Sequence, residues 1–128
     1  MGIKCGVDII EIQRMKKSLA TNGEIFRDKV FTQREIEYCE KRKVVKYQSY
    51  AARFAAKEAV SKAFGTGISG GIDWKDIEVI NDSNGKPEVV LSGMAQEVFK
   101  SIRAKDISLS LSHCENYAVA YVVIETEN

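Results

Sequence analysis

The sequence predicts an α+β fold, with a long alanine-rich helix and shorter helices packed on a mainly antiparallel sheet. Three observations carry this. Strand-like apolar segments stand near both ends of the chain, Tyr47 to Phe64 contains neither glycine nor proline, and the remaining β segments flank turn residues instead of crossover helices.

The first strand is expected over Ile3–Ile12, where Val7, Ile9, Ile10 and Ile12 supply β-branched bulk. Gly2 and Gly6 leave room for another backbone to approach, and Asp8 interrupts an otherwise apolar run. A short helix over Gln13–Leu19 is stopped by the turn chemistry of Thr21-Asn22-Gly23. Thr32, followed three residues later by Glu35, forms a capping box that starts a second helix running to about Lys41.

The long helix covers Tyr47–Phe64, and Ala51, Ala55 and Ala59 with Ala52, Ala56 and Ala63 give it a small-residue stripe for close packing. The glycine-rich stretch from Gly65 to Gly71 ends it. Strands Ile77–Ile80 and Glu88–Leu91 flank a turn with an Asn84-Gly85 step, and Met94–Ile102 is a short amphipathic helix. Ile107, Leu109 and Leu111 alternate, then Tyr117–Ile124 runs apolar, giving two antiparallel strands joined near His113–Asn116. With no repeat, linker or low-complexity tract, residues 1–128 are read as one domain.

Composition narrows the function. The 128 residues are 45% hydrophobic and 29% charged, which is globular usage. Three cysteines, Cys5, Cys39 and Cys114, form no Cys-x-x-Cys pair, so neither a disulfide framework nor a zinc cage is indicated and a reducing cytoplasm fits. No apolar run reaches the ~18 residues of a membrane span, and no leader pattern precedes the first strand. The net charge is only +1, but residues 27–62 hold ten Lys/Arg against five acids. A basic segment in a neutral chain favours a small polyanion or an acidic partner over nucleic acid.

Glu58 and Lys62 share one helix face, with Phe54 one turn earlier. On a surface helix this would be an ordinary salt bridge, but the alanine-rich surroundings imply burial, where charge is costly. Asp8 has the same character. It is either a strand-end carboxylate satisfied by backbone donors or, with Glu58, half of a hard-cation site, since Mg²⁺ takes one or two carboxylates plus phosphate oxygens and waters. Gly65 to Gly70 fits G-x-G-x-x-G, yet it follows a helix instead of a strand and so lacks the dinucleotide-binding context. A helix cap is the plain reading, and a glycine loop approaching phosphate is the alternative. His113, the only histidine, suits a phosphate hydrogen bond better than a nucleophile pair with its neighbour Cys114.

Together these residues resemble the holo-acyl-carrier-protein synthase family, the short-chain branch of the phosphopantetheinyl transferases. Three segments carry the resemblance over essentially the full length. They are Gly6-Val7-Asp8-Ile9-Ile10-Glu11-Ile12-Gln13-Arg14, then Arg53 through Gly65 with its Lys57-Glu58-Ala59-x-x-Lys62 core, and Ser110-Leu111-Ser112-His113 leading into Tyr117-Ala118-Val119-Ala120. Phe31-Thr32, Glu35, Tyr38 and Asn84-Gly85-Lys86-Pro87 add landmarks in the same order. Cys114 departs from the pattern, in which a threonine or another polar residue more often follows the histidine.

The resemblance implies the phosphopantetheinyl transferase fold. It also implies transfer of 4′-phosphopantetheine from coenzyme A to a serine of apo-acyl carrier protein, releasing adenosine 3′,5′-bisphosphate, in fatty acid biosynthesis. On the same basis Asp8 and Glu58 would hold Mg²⁺, and Lys62 would steady or protonate the departing phosphate. Glu58, or a water it orients, would be the base. Lys46, Arg53 and His113 would meet the 3′-phosphate, the backbone at Gly65 the pyrophosphate, and Arg14, Met15 and Lys17 the carrier. A homotrimer with sites at subunit interfaces is implied, and neither nucleic acid nor membrane is an expected partner. The rival readings are a Mg²⁺-dependent phosphoesterase acting on another diphosphate and a non-enzymatic basic adaptor using residues 27–62.

Overall fold

The computed structural model describes residues 1–68 and 71–127. In chain order it contains strand β1 (Gly2–Glu11), helices α1 (Ile12–Val30), α2 (Gln33–Lys41) and α3 (Lys46–Phe64), then strands β2 (Ile77–Asn81) and β3 (Pro87–Leu91). Helix α4 (Gly93–Ser101) and strands β4 (Ala104–His113) and β5 (Tyr117–Thr126) complete it. Among the described residues β1, β5 and β4 form one sheet in that order and β2 and β3 form another, antiparallel throughout. The α+β class expected from the sequence is the class observed.

Helix α3 is the axis of the molecule. Thirteen of its 19 residues are buried, so it is covered on nearly all sides instead of riding on a surface. Val60, Ala63 and Phe64 join Ile77, Val79, Val122 and Ile124 in one apolar cluster, while Tyr50, Ala51 and Ala52 join Ile12, Met15, Val30, Phe31 and Ile36 in another. The alanine stripe is what allows this. Ala51, Ala55, Ala56 and Ala59 are fully buried, and their small side chains let strand and helix backbones nearly touch.

The tightest approach is at Gly6, where a Cβ would lie 2.0 Å from the Ala59 carbonyl oxygen and 2.9 Å from the Ala63 nitrogen. Only glycine fits there. Gly6 therefore fixes β1 on α3, and Asp8, two residues further along the same strand face, is carried to the helix as well.

The capping box forms as expected: the Glu35 backbone N–H donates to Thr32 Oγ1, and the Thr32 N–H donates to Glu35 Oε1 at 2.9 Å. Helix α1 differs from expectation. Gly23 does break it, with φ 53° and ψ −134°, but the chain resumes helix as far as Val30. Burial of Val30 and Phe31 against α3 outweighs the turn chemistry of Thr21-Asn22-Gly23. Ser69 and Gly70, the end of the glycine motif, lie outside the described residues, as does Asn128.

The three-stranded sheet is not apolar-in and polar-out. Its outer face presents Ile3, Val7 and Ile9 from β1 and Tyr117 and Tyr121 from β5, each between 45% and 60% exposed.

Candidate active site

Strand β1 and helix α3 bring Asp8, Glu58 and Lys62 together. The Lys62 ammonium donates to Asp8 Oδ1 at 2.9 Å and to the Val7 carbonyl oxygen at 3.1 Å. Among the described residues, its ion pair thus runs across to the strand and not along the helix to Glu58. Asp8 is only 15% exposed and Lys62 53%, so the carboxylate is anchored inside and the ammonium reaches it from solvent.

Two like charges meet at this point. The Glu58 carboxyl is raised above the ordinary glutamate range by burial first and by the Asp8 charge second, with Lys62 acting in the opposite direction. The second Asp8 oxygen, Oδ2, is buried without a hydrogen-bond partner among the described residues. An orphaned acceptor beside a second carboxylate is a poor arrangement for a bare fold and a suitable one for a hard cation. No group of three or more His, Cys, Asp or Glu side chains gathers among the described residues, so a cation here would complete its shell with waters or ligand oxygens. That donor set fits Mg²⁺, which keeps several waters and accepts one or two carboxylates.

A second feature opens one turn and a half earlier on α3. Arg53, 3% exposed, lies under the Tyr38 ring at 4.1 Å and donates from Nη2 to Asn81 Oδ1. Its Nε is the other buried polar side-chain atom without a partner among the described residues. Arg53 and His113 line a common cleft of about 170 Å³ with Tyr38, Arg42, Asn81 and Pro87. The sequence singled out Arg53 and His113 here but not Arg42 or Asn81. The signal for Arg42 was the basic run at 41–43, whereas nothing local marks Asn81, which arrives from the β2–β3 hairpin.

Lys46 is elsewhere. It pairs with Glu40 at 3.2 Å and lines another cleft with Arg27, Tyr47 and Tyr50. Gly65 caps α3 in the left-handed conformation at φ 83°, its N–H donating to the Lys62 carbonyl. On α1, Arg14 and Lys17 are exposed. Met15 is 3% exposed and belongs to the core between α1 and α3, reaching solvent only as part of a groove with Ile10, Arg14, Ser18, Phe26 and Phe54. Phe54 stacks on Trp74 at 4.9 Å between ring centroids.

Sequence reasoning missed the strut behind the site. Lys57, next to Glu58, points inward to a fully buried ion pair with Glu35, Nζ to Oε1 at 2.8 Å. Lys57 also donates to the carbonyls of Trp74 and Ile77, and Glu35 Oε2 accepts from the Val79 N–H at 2.9 Å. Every polar atom of the pair is used, which is what makes two buried charges tolerable. Burial pulls the Lys57 ammonium below the ordinary lysine range, while Glu35 pulls the other way. The strut ties α2, α3 and β2 together and sets the rotation of α3, and with it the direction of Glu58.

Residues 4–122 match the family model described as the 4′-phosphopantetheinyl transferase superfamily. The chain belongs to that superfamily. It is 59% identical over 124 residues to the holo-[acyl-carrier-protein] synthase of Ruminiclostridium cellulolyticum, covering 97% of this chain and 92% of that relative. Its fold is similar to the crystal structure of holo-[acyl-carrier-protein] synthase from Neisseria meningitidis, with a TM-score of 0.87 at 31% identity, covering 96% and 98% of the two chains. A Bacillus anthracis holo-(acyl-carrier-protein) synthase, described in complex with CoA (3′,5′-ADP), gives a TM-score of 0.80 at 38% identity over 97% of this chain and 96% of that one. The superfamily fold expected from the sequence is thus the fold of this chain.

Proposed function

We propose that this chain is a holo-acyl-carrier-protein synthase, transferring 4′-phosphopantetheine from coenzyme A to a serine of apo-acyl carrier protein. The observation that carries the reading is a pair of buried atoms without a hydrogen-bond partner among the described residues, an acceptor at Asp8 Oδ2 and a donor at Arg53 Nε. One suits a cation and the other a phosphate. Arg53 and Glu58 are five residues apart on one helix, about 7.5 Å along its axis, which is the scale of a nucleotide and not of one phosphate.

In the reaction, the carrier serine oxygen forms a bond to the β-phosphorus of coenzyme A while the bond from that phosphorus to the bridging oxygen breaks. Adenosine 3′,5′-bisphosphate leaves with the electron pair. Glu58, or a water it orients, takes the serine proton. Lys62 meets the charge that develops on the departing phosphate. Arg53 and His113 receive the 3′-phosphate, with Tyr38 and Asn81 holding the guanidinium in place. The backbone at Gly65 flanks the pyrophosphate. Mg²⁺ held by Asp8 and Glu58, when bound, supplies charge neutralisation to the pyrophosphate.

We read the chain as a homotrimer, and the exposed apolar outer face of the β1-β5-β4 sheet, with Ile3, Val7, Ile9, Tyr117 and Tyr121, favours self-association of whatever copy number. A neighbouring copy would also supply further walls to the open cleft at Arg53. Arg14 and Lys17 are the exposed α1 side chains that would meet an acidic carrier, above the groove containing Met15. We read the chain as a cytoplasmic enzyme of fatty acid biosynthesis.

Mass spectrometry of an apo-carrier protein incubated with this chain, coenzyme A and Mg²⁺ tests the proposal. A phosphopantetheine mass increase on the carrier is the expected result. Hydrolysis of coenzyme A with no modified carrier would replace transfer by a phosphoesterase activity.

A further inference from the structure

Lys62 makes a choice that helix geometry does not dictate. A lysine four residues after a glutamate ordinarily pairs along the helix, yet this ammonium crosses to Asp8 Oδ1 at 2.9 Å. It gains the Val7 carbonyl at 3.1 Å as a second acceptor. The ammonium thereby stands where a metal ion's charge would be needed, partly neutralising the carboxylate that β1 contributes.

We propose that Lys62 is an internal counter-ion of the carboxylate pair, which a divalent cation must displace from Asp8 and which then turns to the incoming pyrophosphate. The inference rests on the proposed function, since it takes Asp8 and Glu58 as the metal's ligands. Three features make the exchange possible. Asp8 cannot follow the ammonium, because β1 is held between Gly6 on α3 and its pairing with β5, where Asp8 lies opposite Ala120. Lys62 can leave, because its side chain is 53% exposed on a flexible stem. Asp8 Oδ2 already offers a cation a free oxygen, and a dication bound there lies beside the ammonium on Oδ1, so like-charge repulsion drives the lysine out.

Two consequences follow. In the absence of coenzyme A, Lys62 opposes the metal, since it brings the site from two net negative charges to one. When the pyrophosphate is present the displaced ammonium gains a new anionic partner, so Lys62 makes metal and coenzyme bind with positive cooperativity. Without the lysine, metal binding should be tighter alone and should depend less on the coenzyme.

The test is Mn²⁺ binding to the whole protein, followed by electron paramagnetic resonance of the free ion, with and without adenosine 3′,5′-bisphosphate or coenzyme A. Lys62→Met should bind Mn²⁺ roughly three- to tenfold more tightly than wild type when no nucleotide is present, the scale of losing one partly exposed charge beside the ion. The enhancement by coenzyme A should shrink in the same variant. Lys62→Gln keeps a polar side chain and should behave likewise, which guards against poor folding of the methionine variant. Equal or weaker Mn²⁺ binding in both well-folded variants, with wild-type binding intact and lost in Asp8→Asn, would overturn the counter-ion role while leaving the metal site standing. No Mn²⁺ binding that depends on Asp8 in any variant would instead overturn the metal reading itself, and the counter-ion with it.

Discussion

Replacing Gly6 by alanine is the most direct probe of how the site is held. The added methyl would lie 2.0 Å from the Ala59 carbonyl oxygen, 2.9 Å from the Ala63 nitrogen and 3.1 Å from the Ala59 carbonyl carbon, all backbone atoms of α3 that cannot rotate aside. Ordinary carbon contacts need about 3.5 Å, so β1 must retreat by roughly 1 Å or more. Overpacking of this kind costs about 1–3 kcal/mol, which lowers the melting temperature by on the order of 10 °C at this chain length. The same retreat separates Asp8 from Glu58 and Lys62. A displacement of ~1 Å at reacting groups costs about 10²-fold in rate, so kcat/KM for carrier modification should fall by that factor even below the new melting point. Gly2→Ala is the control on the same strand, because its methyl meets only the Thr126 hydroxyl at 2.6 Å, the end of a side chain that can turn away. If Gly6→Ala melted and turned over like wild type, the idea that strand–helix contact positions Asp8 would be wrong.

Other outcomes follow from the same geometry. Asp8→Ala and Glu58→Ala, once shown to be folded by circular dichroism, should each lower turnover by ~10²-fold. Each should also raise the Mg²⁺ concentration needed for half-maximal activity, and unchanged Mg²⁺ dependence in Glu58→Ala would contradict its assignment as a ligand. Glu35→Gln leaves Lys57 buried without its counter-charge and should cost about 3–5 kcal/mol in denaturant unfolding, with Glu35→Gln/Lys57→Met recovering part of the loss. Glu78 is half-buried, which alone would raise its carboxyl, but hydrogen bonds from Arg34 and Thr32 outweigh burial and hold it below the ordinary range. A depressed folded value contributes stability that is complete above the unfolded value and fades as pH falls through the folded one. Glu78→Gln should therefore flatten the drop in melting temperature below about pH 4.5, and an unaltered acid limb would count against it.

Local patterns announced most of the elements, because each is specified within a few residues. The Thr32–Glu35 box, the alanine run of α3 and the alternation of β4 all read directly. What stayed hidden depends on distant partners. Glu35 was legible as a capping residue, but its pairing with Lys57 joins residues from different helices, and a lysine on a helix ordinarily belongs in water. The second half of α1 was masked by Thr21-Asn22-Gly23, since only packing of Val30 on α3 shows why the helix resumes. At the site, Asp8, Glu58 and Lys62 were recognisable as a set, yet the sequence pointed to a Glu58–Lys62 contact along the helix where the ammonium instead takes Asp8. Arg53 and Lys46 looked equivalent as basic residues, and only tertiary structure sends one to the cleft with His113 and the other to Glu40.

The pairing of β1 with β5 also bears on when this protein can work. As the ribosome releases the chain, Asp8 emerges early and Glu58 midway, but the strand that pairs with both β1 and β4 is the last to appear. Until β5 inserts between them, β1 has no strand partner among the described residues. The strand that carries Asp8 to α3 is consequently secured in its sheet only when β5 closes it, and a nascent chain arrested before Tyr117 should be inert and a ready client for a chaperone.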